Sequence, residues 1–230
     1  MSVVRPASVR ILVDEAHQQA WSIRPEVAAR MQPAHPGDSS YAKAAELLRR
    51  RDFVVEPLTG GRLTPEVLAG VSVLVLPHGS DPKFEATTGV GSASYDDTEI
   101  AAIRSFVESG GGLVILAESE QDKYGSNVAD IAAGFGITIE HTTVQDYQRH
   151  HQAPSWVESE TTGSHPVLSD VEALIFYRSG ALGVDAEATV LARSSAAAAP
   201  ASAPLLATTT SGAGRVVVAA DSDLFGDDCI

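Results

Sequence analysis

The chain contains one cysteine in 230 residues, Cys229, so no internal disulfide can form and a cysteine-built zinc site is excluded. It is also short of cations. Sixteen Lys and Arg stand against 30 Asp and Glu, giving a net charge of −14. A surface of that sign repels phosphate backbones and anionic lipid, so neither nucleic acid nor a membrane is expected as a partner. Long hydrophobic runs are missing too. Met1-Ser2-Val3-Val4-Arg5-Pro6-Ala7-Ser8 precedes only the short apolar stretch Ile11–Val13, too little for a signal-peptide core. Nothing approaches the ~18 apolar residues of a membrane span. A cytoplasmic protein is the expectation. Finally, there is no phosphate loop. Ile11–His17 reads ILVDEAH, like the acid-tipped strand of an ATPase, but that chemistry needs a G-x-x-x-x-G-K-[ST] partner. Too few residues precede Asp14 to make one, and Gly89 and Gly91 lack a following Lys-Ser/Thr. Nucleotide hydrolysis is not expected.

What is present suits a globular fold. Hydrophobic residues make up 44% of the chain, and a chain this long buries about 70% of its unfolded surface. The first half alternates strand and helix patterns. Val9–Val13, Phe53–Val55, Val71–Leu76 and Leu113–Leu116 read as strands. VLVL and LVIL are apolar at every position, as in strands covered on both faces. Between them, Trp21 to Pro36 reads as a loop, and Asp38 or Ser39 can cap a helix bearing Tyr41, Ala44, Ala45 and Leu48. Thr64-Pro65 opens a short helix to Leu68. After the loop 77–95, Asp96 and Asp97 open a helix that buries Ile100, Ile103, Phe106 and Val107 and ends at Gly110–Gly112. A further helix spans roughly Tyr124–Phe135, and Ile137 and Ile139 alternate as in an edge strand. Such βαβ units imply right-handed crossovers and a mostly parallel, doubly wound sheet.

After residue 140 the texture changes. His141–His165 is polar and irregular. Ala173–Tyr177, Ala188–Leu191, Leu205–Thr209 and Arg215–Ala220 are strand-like, with a flexible loop expected over Ser194–Pro204. These are expected to extend the same sheet with antiparallel strands, so that residues 1–230 form one α/β domain. The loop-like run Asp221–Asp228 leads to the expectation that this domain begins a longer polypeptide.

Ligands of open parallel sheets sit beyond the carboxyl ends of the strands. Those ends are rich in polar groups here. The first strand delivers Asp14, Glu15 and His17, and the third His78, Ser80, Asp81, Lys83 and Glu85. The fourth delivers Glu118, Ser119, Glu120, Asp122 and Lys123, and the last Asp221, Ser222 and Asp223. Taken singly, each suits a polar strand-to-helix loop or a helix cap. Taken together, Asp14, His78, Glu118 and Asp221 are expected to converge. Convergent carboxylates and imidazoles suit a divalent metal: magnesium or calcium on oxygen, or zinc or iron on His17 and His78 with a carboxylate. No spacing such as H-E-x-x-H identifies one, and no other cofactor is implied. His150-His151, His141 and His165 read as solvated or turn residues.

ILVDEAH, VLVLPHGSD, IAAIRSFVESGGGLVILAE, SHPVLSDV and GAGRVVVAADSDLFGDD together span most of the chain. This combination resembles the class I glutamine amidotransferase-like, flavodoxin-like superfamily. It resembles the uncharacterised and ThuA-like branches in particular, with the domains of that type in gliding-motility and intraflagellar transport proteins. The resemblance implies a flavodoxin-like sheet without the thiol. Ala117-Glu118-Ser119-Glu120 stands where the family carries a cysteine on a glycine-flanked turn, and Asp221 stands where its histidine is expected. Glutamine amidotransfer is not expected, and Ser119 has no identifiable base. The leading expectation is a non-catalytic domain that binds a small polar ligand, a protein partner or further domains. An alternative is a hydrolase or isomerase using Glu118, Asp14 or His78, with or without a metal. A third is an acidic rim on a domain that only oligomerises, since edges after residue 137 can pair between chains.

Overall fold

The computed structural model of the chain describes residues 8–161, 164–171 and 173–230. The leader reading of Met1–Ala7, and Thr162 and Gly163 of the polar stretch, lie outside them. The chain opens with β1 (Arg10–Asp14), α1 (Pro25–Met31), α2 (Ala42–Arg49), β2 (Val54–Leu58), α3 (Pro65–Leu68) and β3 (Val73–Leu76). Next come α4 (Asp97–Glu108), β4 (Gly112–Leu116), α5 (Val128–Ala133) and β5 (Ile137–Glu140). Seven further strands follow: β6 (Trp156–Glu158), β7 (Glu160–Thr161), β8 (Ile175–Tyr177), β9 (Ala181–Val184), β10 (Thr189–Arg193), β11 (Pro204–Ser211) and β12 (Gly214–Ala219).

Eight strands make one sheet in the order β2-β1-β3-β4-β12-β11-β10-β7. The first five are parallel, and β11, β10 and β7 add antiparallel pairs. The fold is therefore α/β with a mostly parallel sheet extended by antiparallel strands from the second half, as the alternating patterns imply. The last strand, β12, does not join the edge but inserts beside β4, because GRVVVA is apolar enough to be covered on both faces.

Local chemistry explains the boundaries. Asp96 caps α4 by accepting from Thr98 and Glu99, and Glu99 bonds back to the Asp96 amide, a reciprocal capping box. Thr64 caps α3 through the Val67 amide. Gly110, at φ +112, leaves α4 in a conformation that favours glycine. Other expectations are corrected. Pro36–Ser39 is a 3-10 turn, so Asp38 and Ser39 do not cap α2, which starts at Ala42. The expected loop Trp21 to Pro36 contains α1, whose signal is Pro25 in its first turn followed by buried Val27, Ala28 and Met31. The helix expected over Tyr124–Phe135 contracts to α5 after a 3-10 turn at Gln121–Tyr124. β5 leaves the main sheet to pair with β9; β6 lies inside the stretch read as irregular and pairs with β8 in a separate two-stranded sheet, so Ala173–Tyr177 does not extend the main sheet as expected. The loop Ser194–Pro204 is anchored at points along it: Ser194, Ser195, Ala198 and Ala203 are buried, and Ser195 donates to the Asp146 carboxylate.

Two apolar clusters share the sheet. One packs α3, α4 and α5 on one face, around Leu74, Ile103 and Val218. The other places Ile23, Tyr41, Ala45, Val157 and Phe176 on the opposite face. Among the described residues no helix is long and apolar enough to cross a membrane.

Candidate functional site

The polar residues at the strand ends divide into two groups with different surroundings. The first is an interior network at the end of β1. Asp14 is fully buried and accepts from the Ala16 amide (2.9 Å), Gln19 Nε2 (3.0 Å), the Tyr95 hydroxyl (2.8 Å) and His17 Nδ1 (2.8 Å). His17 Nε2 lies 2.9 Å from Glu99 Oε1, which also accepts the Leu63 amide. Facing a carboxylate on each side, the two imidazole nitrogens can both donate when His17 is protonated. Burial works against that charge, but hydrogen bonds and attraction from Asp14 and Glu99 outweigh it and hold His17 above its usual 6.5. Beside it, buried Glu15 receives the Ile23 amide and Arg24 Nε, both at 2.8 Å, and so fastens the loop after β1. Asp14, Glu15 and His17 are satisfied internally and face no cleft. Their role is to lock β1, the start of α4 and the intervening loops together.

The second group borders a cleft of about 600 Å³ at the carboxyl ends of β4 and β12. Glu118 and Ser119 enter it from β4, Asp223 from the turn after β12, and Arg178 from the end of β8. Lys123 and Tyr124 come from the 3-10 turn after β4, Glu85 from the β3–α4 loop, and Gln145 and Ser155 from the segment before β6. Glu118 Oε2 accepts from Ser222 Oγ (2.7 Å), whose oxygen receives Trp21 Nε1 (3.0 Å). Glu118 Oε1 accepts from the amide (2.8 Å) and hydroxyl (3.1 Å) of Ser119. Its donors are thus all neutral. Asp223 pairs with Arg178 at 3.2 Å, and the Arg178 amide is held by the Ser155 carbonyl at 2.7 Å.

Crowding of carboxylates shapes the electrostatics. Burial raises Asp223 to about 7, with the Glu118 charge adding to it and Arg178 opposing it. Asp221 is fully buried behind it. Desolvation, then the charges of Asp223 and Glu118, push it well above the usual carboxylate range, although the Tyr177 and Asp223 amides donate to it. Near neutral pH this corner holds protons that free carboxyls would have released.

The remaining expected residues scatter. His78 is buried, donating from Nε2 to Glu85 (2.8 Å) and receiving Gln121 Nε2 at Nδ1 (3.3 Å). It supports the cleft wall from behind through Tyr124, which it meets edge-on. Ser80 is buried and donates to the Asp81 carbonyl. Asp81 and Lys83 form an exposed pair at 3.2 Å, and Glu120 pairs with Lys123 at 2.6 Å. Asp122 is exposed and lies 3.6 Å from His141. The expected convergence of Asp14, His78, Glu118 and Asp221 is therefore corrected. Glu118 and Asp221 share a neighbourhood, and His78 stands behind Glu118 across Gln121, whose side chain accepts the Glu118 amide and donates to the His78 ring; Asp14 lies apart, because the β1 loop folds inward against α4 whereas the β4 and β12 loops face out. Among the described residues no group of three or more His, Cys, Asp or Glu is placed to hold a metal ion, so the metal expectation has no site. Sequence reasoning missed Arg178, Gln145 and Ser155. Gln145 and Ser155 reach the cleft from the stretch read as irregular, and Arg178 follows the expected strand Ala173–Tyr177 at φ +57, a left-handed conformation.

The sequence matches no protein-family profile and no curated relative. Solved structures do match. The chain is similar to an mmIFT52 N-terminal domain with a TM-score of 0.72 and 16% identity, over 95% of this chain and 89% of that one. It is similar to a cytoplasmic protein from Salmonella typhimurium (TM-score 0.57, 12% identity, 93% of this chain and 87% of that one). It also matches a beta-galactosidase from Rahnella sp. R3 (TM-score 0.56, 14% identity), covering 96% of this chain but 30% of the enzyme. At these identities the likeness is one of fold alone. These neighbours are not glutamine amidotransferases, and they overturn the assignment to that superfamily and its ThuA-like branch.

Proposed function

We propose that this chain is a binding domain that holds a small polar ligand in the cleft between the ends of β4 and β12. Glu118, Ser119, Lys123, Arg178 and Asp223 are its contacts in this reading. The supporting observation is the cleft itself. A concavity of about 600 Å³ is within the range of small-molecule sites and carries charges of both signs on its wall. Those charges rest on a buried layer of Trp21, Ser222, Asp221 and His78, which fixes them before a ligand arrives. The five parallel strands in the order β2-β1-β3-β4-β12 support a doubly wound, flavodoxin-like arrangement, in which ligands bind at this end. A cytoplasmic setting is part of the proposal.

The test is a thermal-shift screen with amino acids, sugars and small organic acids, followed by calorimetry on the hits. A ligand at 100 times its Kd stabilises by about 2.7 kcal/mol, which is readily seen. Glu118→Gln and Arg178→Ala should weaken a hit, and Asp14→Asn should not. Hits indifferent to Glu118 and Arg178 would place binding elsewhere.

A second reading, acid–base chemistry on the bound molecule, is favoured by one observation. Asp223, at about 7, can take up or release a proton near neutral pH. Turnover of a hit compound that disappears in Asp223→Asn while binding persists would support it.

A further inference from the structure

Two opposite charges on the cleft wall are held near each other without pairing. The Glu118 carboxylate accepts only from Ser222 Oγ and from the amide and hydroxyl of Ser119, so among the described residues no cation answers it. Its Oε2 receives a single hydrogen bond, the one from Ser222. The Arg178 guanidinium donates to Asp223 at 3.2 Å and to nothing else among the described residues, and its side chain is 70% exposed. The other charges that line the cleft are committed or open to water. Glu85 receives His78, Lys123 donates to Glu120, and Asp38 is exposed.

Chain geometry sets where the two charges stand. Consecutive residues, Ser222 and Asp223, hold one each, and their Cα atoms are about 3.8 Å apart. The Gly180 backbone abuts the turn at Glu118 and Ser119: a Cβ there would lie 3.3 Å from the Glu118 carbonyl oxygen. Arg178 stands two residues before that contact. Partial burial works against the Arg178 charge, but Asp223, then Glu118 and Asp221, outweigh it, so Glu118 is within electrostatic reach of the guanidinium.

We infer that the cleft takes a free amino acid, with its ammonium on Glu118 and its carboxylate on Arg178. This rests on the proposed reading of the cleft as a small-ligand site and names the class of ligand. A ligand that covers Glu118 strips water from a carboxylate with no cation beside it, which is costly unless the ligand brings a positive charge. The unused N–H groups of a guanidinium suit a carboxylate, which they can grip with two parallel hydrogen bonds. A sugar answers neither charge. A simple organic acid is repelled by Glu118, and a simple amine leaves the Arg178 donors idle. A zwitterion satisfies both, and Gln145 and Ser155 leave neutral polar groups for its side chain.

The test is calorimetric titration of the chain with the common L-amino acids, ranked first by thermal shift, and with two blocked forms of each hit. The N-acetyl form lacks the ammonium and the carboxamide lacks the carboxylate. At least one amino acid should bind, and each of its blocked forms should bind about tenfold or more weakly. These comparisons use the unaltered protein, so they do not depend on any variant folding. Glu118→Gln should then weaken the free amino acid about tenfold and leave the N-acetyl form unchanged, and Arg178→Gln should do the same with the carboxamide. Equal binding of free and blocked forms overturns the inference, as does a variant that weakens both alike. Hits confined to sugars or organic acids also overturn it; the cleft would remain a small-ligand site, and only the amino acid would fall. If no compound of any class binds, the binding reading falls and takes this inference with it.

Discussion

Replacing Asp223 with asparagine should stabilise the fold more at alkaline than at acid pH. Asp223 titrates at about 7 in the folded chain against 3.8 when free, because burial and the Glu118 charge oppose its ionisation. Between those values the folded state holds a proton that the unfolded state has lost. Stability is therefore fully present below pH 3.8 and declines as pH rises through 7. Each pH unit in that window costs about 1.36 kcal/mol, so the ceiling is about 4 kcal/mol at alkaline pH. Asp223 shares this corner with buried Asp221, and the protons of two interacting carboxyls belong to the pair rather than to either one, so about half of that ceiling is expected. The asparagine amide keeps the shape of the carboxyl without its charge. Urea unfolding of both proteins at pH 4.5 and pH 8 should show the advantage of Asp223→Asn growing by about 2 kcal/mol across that range. His17 also titrates in this window, but it is common to both proteins and cancels in the difference. Parallel stability–pH profiles would refute the reasoning, because Asp223 would then ionise as freely in the fold as outside it.

Further outcomes follow from the same geometry. Arg178→Ala removes the cation that opposes protonation, so the Asp223 midpoint should climb above about 7, as read by carboxyl carbon chemical shifts. Glu99→Gln leaves His17 with one carboxylate; its imidazole midpoint should fall in proton NMR. The same variant should lose about 3 kcal/mol, the scale for breaking a buried ion pair, with the loss greatest below pH 6.5, where the wild-type imidazolium is fully formed. Gly91→Ala should destabilise by at least about 1 kcal/mol in urea titration, since Gly91 is at φ +69 and an added Cβ would lie 2.1 Å from the Ala16 carbonyl oxygen.

The sequence by itself determined the α/β character. Apolar runs such as VLVL and LVIL suit central strands, and the Asp96 and Thr64 caps open helices as read, since these are local consequences of backbone hydrogen bonding and side-chain period. It also determined that a cysteine nucleophile is absent after β4. Only the tertiary structure decided what the charged strand ends do. Asp14 and Glu118 follow equivalent strands with equally polar surroundings, yet Asp14 turns inward because Glu99, 85 residues later, supplies the far side of His17. Glu118 faces a cleft because Arg178 and Asp223 close around it from β8 and β12. Sequence spacing carries no record of such meetings. The same holds for Val75, Val114 and Val217: each strand reads as buried on both faces, and only the assembled sheet leaves these three half-buried on the face opposite α4.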